Sequence, residues 1–140
     1  SVSADDGTRL LGARLTAPVH CAPPDNKPTV EERDECAHWL HQELELLSPT
    51  VRSVVVLGGF AWQGALRTYA ELGWQVPRPR PKFGHGASTI LTRGNDRLRV
   101  FGCYHVSQQN TFTGRLTVEM VVEVLADAAH AAGLRRRRRR

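Results

Sequence analysis

Twelve consecutive residues, HVSQQNTFTGRL over 105–116, hold one imidazole, three hydroxyls, three amides and a guanidinium. An apolar stretch precedes them, so His105 falls at the end of an expected strand. A histidine there can donate to a developing anion or shuttle a proton. Ser107, Gln108, Gln109, Asn110, Thr113 and Arg115 carry the donors that phosphate oxygens and base edges accept. The competing reading is a solvated loop whose polar groups satisfy only its own backbone.

The cysteines come next. Cys21, Cys36 and Cys103 form an odd set, which argues for thiols or metal ligands over a disulfide framework. Cys21 and Cys36 could supply two thiolates, half of a four-cysteine iron–sulfur set. Zinc is a rival, but His38 and His41 stand two and five positions after Cys36, off the three and four that share a helix face. Two unrelated buried thiols are the plain alternative, and Cys103, inside an apolar strand, reads as core. In the proline-rich stretch 75–86, Lys82 and His85 lie among glycines, where Gly84 and Gly86 would let a backbone approach a phosphate. A rigid surface crossover explains that stretch equally well.

These residues need a scaffold. Residues 8–19 read as a strand stopped by Pro18, and 20–28 as a loop. Thr29 and Glu32 have capping-box spacing for a helix ended by Pro49, with Cys36, Trp39, Leu40, Leu44 and Leu47 as its apolar stripe. The run 53–58 (SVVVLG) is a strand covered on both faces. Gly58-Gly59 turns it into a helix over about 60–72, with Phe60, Ala61, Ala65, Leu66 and Tyr69 expected inside. Strands near 88–92 and 97–104 flank a turn at 94–96, and a last helix spans about 117–132 before Gly133. Strands alternating with helices predict an α/β layered fold with a largely parallel sheet, whose ligands sit outside the carboxyl ends of strands. The loops at 20–28, 58–61 and 105–116 lie there.

The 140 residues suit one domain, and 41% hydrophobic with 24% charged residues is ordinary for a globular chain. No apolar run reaches the length of a membrane helix and no signal pattern opens the chain, so a cytoplasmic protein is expected; it is also expected to be a monomer. The net charge of +5 comes from 19 basic and 14 acidic residues, and six of the basic ones are Arg135 to Arg140. That tail is expected to be disordered and could add salt-sensitive attraction to nucleic acid. The body is close to neutral, so a nucleic-acid role must rest on particular residues.

Several segments together carry a resemblance. GCYHVSQQNTFTGRLT over 102–117 resembles the second catalytic motif of the family 5 (B-type, iron–sulfur) uracil-DNA glycosylases. CAPPDNKP over 21–28 with EERDEC over 31–36 resembles part of their iron–sulfur segment. GGFAW over 58–62 and PKFGHG over 81–86 resemble two further loops, in the same order. The resemblance implies a three-layer α/β/α fold with a short parallel sheet and a 4Fe-4S cluster. It implies hydrolysis of the N-glycosidic bond of uracil, and of other deaminated bases, in double-stranded DNA of a bacterial nucleoid.

By the same resemblance His105 donates to the departing base. Gln108, Gln109 or Phe112 fills the gap in the duplex, Ser107, Thr113 and Arg115 grip phosphates, and Cys21 and Cys36 hold the cluster. The family's first motif, which handles water, and the other two cluster cysteines have no counterpart here. The chain is therefore expected to match the carboxyl-terminal part of the family's domain, over residues 1–134. Related glycosylases often carry an asparagine where Ala17 stands, and alanine cannot read a base edge.

Overall fold

A computed structural model describes residues 10–17 and 29–134, the side chains of Glu32, Arg33 and Glu35 excepted. Helix α1 covers Val30–Leu47, strand β1 Ser53–Leu57, helix α2 Gly59–Glu71, strand β2 Ser88–Arg93 and strand β3 Asp96–Cys103. The short helix α3 covers Gln108–Phe112 and helix α4 covers Val118–Ala131. The strands form one sheet in the order β1-β3-β2. The β1–β3 pairing is parallel, with Leu57 opposite Cys103, and β2–β3 is an antiparallel hairpin.

The α/β layering follows from residues that alternate along each strand. Val54 and Val56 of β1, Leu91 of β2 and Leu98 and Val100 of β3 face a core closed by Leu40 and Leu44 of α1 and Trp62, Leu66 and Tyr69 of α2. The intervening residues Val55, Leu57, Phe101 and Cys103 face the other way, against Val124 and Ala128 of α4. The sheet thus lies between two helical layers, and the β-branched run of β1 is covered on both sides as its composition predicts.

Helix ends follow the capping chemistry. Thr117 accepts from the Met120 N–H to start α4, and α1 starts one residue after Thr29. The Glu32 half of the expected capping box lies outside the described residues.

Three expectations are corrected. Residues 10–17 form no strand; Arg14 and Thr16 instead both hold the Glu43 carboxylate of α1. Trp39 is 61% exposed, because only Leu40 and Leu44 of its stripe reach α2 and the sheet. Phe60 is likewise half exposed, whereas Trp62, two residues on, is fully buried. The 20–28 loop and the arginine tail lie outside the described residues. Among the described residues no helix is long and apolar enough to cross a membrane.

Candidate functional site

The parallel register brings the carboxyl ends of β1 and β3 side by side. β1 ends at Leu57, and Gly58 takes φ 92°, a backbone conformation that side chains resist. Its N–H donates to the Cys103 carbonyl at 2.8 Å, which locks the turn to β3. His105 lies directly over this turn: a Cβ on Gly58 would stand 3.4 Å from the His105 Cβ. His105 itself is exposed.

The loop after His105 is ordered by its own side chains. Ser107 caps α3 by accepting from the Asn110 N–H at 3.3 Å. Asn110 Nδ2 donates to the His105 carbonyl at 2.9 Å, tying the start of the loop to its middle. The Thr111 hydroxyl donates to the Ser107 carbonyl, and the Thr113 hydroxyl to the Gln109 carbonyl at 2.6 Å. The Asn110 carbonyl accepts from the N–H of Leu116, the loop's buried anchor. Gln108 and Gln109 face solvent, and Phe112 is 83% exposed at the tip. The Arg115 guanidinium lies 4.9 Å from the centre of the Tyr104 ring, within cation–π range.

The third wall is the loop over 81–87. The buried Trp62 indole N–H donates to the Pro81 carbonyl at 2.8 Å. Phe83 packs edge-on against Trp62 and tilted against Tyr104, with ring centres 6.1 and 6.3 Å away. Gly102 makes this packing possible. A Cβ there would stand 2.6 Å from the Gly84 carbonyl oxygen and 3.3 Å from the Phe83 ring. His85 accepts the Tyr104 N–H on Nδ1 at 3.2 Å, while Lys82 faces solvent.

His105, Ser107, Asn110 and Arg115 therefore surround one strand end, with His85 beside them. Phe83, Tyr104, Trp62 and Gly102 belong to the same constellation; they lie in the segments that carry the resemblance but have no individual role in the sequence reading. A glycine inside an apolar strand was the available signal, since it marks a close backbone approach. The short helix within 105–116 was signalled by Ser107 three residues before Asn110.

The cysteines separate. Cys36 is half-buried on α1, Cys103 is buried beneath α4, and burial pushes the Cys103 thiol up. Cys21 lies outside the described residues. With Cys103 committed to the core, the 140 residues offer at most Cys21 and Cys36 toward four thiolates. Among the described residues no three metal-ligating side chains converge. Cys21 and Cys36 are half of a four-cysteine set.

The family model for the Uracil DNA glycosylase superfamily matches residues 3–129, a span that includes every wall of this site. The chain belongs to that superfamily. It is 50% identical over 134 residues to the Type-5 uracil-DNA glycosylase of Mycobacterium tuberculosis, covering 96% of this chain and 47% of the relative. It is 49% identical over 129 residues to the Type-5 uracil-DNA glycosylase of Thermus thermophilus, covering 92% and 55%. The Type-4 uracil-DNA glycosylase of Archaeoglobus fulgidus is 29% identical over 100 residues, covering 71% and 47%. The chain spans about half the length of the curated relatives it matches.

Proposed function

We propose that this chain acts in base-excision repair of double-stranded DNA, in hydrolysis of the bond between uracil and deoxyribose, with His105 stabilising the departing base. The observation that carries this reading is the position of His105. It is exposed at the carboxyl end of β3, against the Gly58 turn and at the root of a protruding loop. Bond cleavage leaves negative charge on the base and positive character on the sugar. A preorganised donor aimed at that charge supplies several kcal/mol in comparable sites, on the order of 3–4.

A stacked base cannot reach His105, so it must leave the duplex. Phe112, apolar and exposed at the loop tip, is suited to fill the gap, and Gln108 and Gln109 flank it. Ser107 accepts from the Asn110 N–H, so its own O–H remains available to a phosphate. The Thr113 O–H is already donated to Gln109, so Thr113 must exchange that bond to serve the same purpose. Arg115 and Lys82 add charge, and Ala17 offers no amide to a base edge, so base discrimination belongs to another residue; the resemblance extends the range to other deaminated bases. The water-handling motif of the family has no counterpart in these residues, so leaving-group stabilisation is the half of the reaction they account for.

The test compares fluorescence anisotropy on undamaged, uracil-containing and abasic duplexes, together with uracil release. The chain is expected to prefer the damaged duplexes, with low turnover, and His105→Ala to reduce that preference. Equal affinity for all three duplexes, with no uracil release that depends on His105, overturns the reading.

A further inference from the structure

We propose that His85 is a positioning residue for His105: its imidazole replaces a backbone carbonyl as the last rung of the β2–β3 ladder. Along β3 the backbone groups alternate between the two sheet edges. Gly102 serves the β2 side, where its N–H donates to Ala87 at 2.8 Å and its carbonyl accepts from Gly86 at 2.9 Å. Cys103 serves the β1 side, where its carbonyl accepts from Gly58. Tyr104 turns its N–H to the β2 side again. The group that meets it there is no longer backbone but His85 Nδ1 at 3.2 Å.

The Cys103–Tyr104 peptide, one residue before His105, is thus held from both edges, by Gly58 on one and His85 on the other. The His85 ring also lies 5.0 Å from the Tyr104 ring, and Gly102 admits the 81–87 loop that carries it. An imidazole nitrogen that accepts an N–H carries no proton, so neutral His85 keeps its proton on Nε2. This gives His85 a role other than direct contact with DNA. Its geometric part stands alone, and its catalytic consequence rests on the reading of His105 above.

The experiment uses the full 140-residue chain. Long-range nitrogen–proton NMR correlation is expected to show His85 with Nδ1 unprotonated and Nε2 protonated. Amide exchange at Tyr104 is expected to quicken roughly tenfold or more in His85→Ala, while Leu98 and Val100 stay protected. His85→Asn, whose Oδ1 can occupy the Nδ1 position, is expected to restore protection, and His85→Gln, whose amide sits one bond further out, is not. The opposite tautomer, or Tyr104 exchange unchanged across all three variants, overturns the proposal. If His85→Ala does not fold, the Asn and Gln pair still decides it. Preference for abasic duplex should follow the same order as the exchange data. An inert His105→Ala would defeat the reading of His105 and leave the tautomer and exchange results for His85 intact.

Discussion

The two faces of the sheet are built differently. Under α1 and α2 the core holds Trp62, Leu66, Tyr69, Trp74, Leu91, Leu98 and Val100, all almost fully buried. Under α4 it holds Phe101, Cys103, Leu116, Val124 and Ala128, while Val118, Val122 and Leu125 remain at least half exposed. The heavy face also continues beyond the sheet, through Trp62 and Phe83, whose ring meets Tyr104 of the light face. The light face ends in the self-capped loop, whose helix α3 has no buried residue and which is anchored by Leu116 alone. One half of the site is therefore anchored by the global core and the other mainly by local bonds. The backbone around His105 belongs to the first, and the groups around Phe112 to the second.

The largest test of that contrast is Trp62→Ala. It empties a fully buried site and removes the hydrogen bond to Pro81, at an expected cost of about 3–5 kcal/mol. Val124→Ala on the light face should cost about 1–2 kcal/mol. Urea denaturation measures both, and equal costs would erase the contrast. Gly102→Ala comes next, at about 2 kcal/mol, because a methyl group there overlaps the Gly84 carbonyl. Its mark should be faster amide exchange at Gly86, Gly102 and Tyr104, with the α4 amides unchanged.

Smaller effects sharpen the comparison. Burial pushes the Tyr69 hydroxyl up to about 12. In the unfolded chain it ionises near ~10, so its contribution is whole below that pH and is lost as pH rises toward 12. At pH 11 the loss should be about 1 kcal/mol, and Tyr69→Phe should abolish that part of the pH dependence of the urea midpoint. Smallest is Ser107→Ala, which should loosen α3 by about 0.5–1 kcal/mol. It is expected to appear as faster exchange at Asn110 without a shift in the urea midpoint. A global shift would place the loop in the main cooperative unit.

Much of this arrangement was legible in the sequence because local rules and packing agree there. The Val54–Val56 run forms a strand, the Gly94 turn closes a hairpin, and Thr117 and Gly133 bound α4. Leu10, Leu11 and Leu15 show where that agreement ends. Their pattern suits a strand, yet they stay exposed and unpaired with any described strand, while Arg14 and Thr16 bond to Glu43. Strand formation needs a partner edge, which a segment's own pattern does not supply. Trp39 and Trp62 were hidden for a related reason. Either indole could serve as core, and only the crossing of α1 and α2 decides which turns inward. The site was half legible. His105 and its polar followers announce themselves, whereas the roles of Gly102 and Phe83 exist only once the 81–87 loop lies across β3.

The hydrogen bonds among Ser107, Asn110, Thr111 and Thr113 have a thermodynamic consequence. A loop that closes its own bonds loses its conformational freedom when the protein folds, not when it meets a ligand. On the proposed function, association through Phe112 and Arg115 should therefore carry little ordering entropy from the protein side. In that reading the main conformational change left to the encounter falls on the DNA.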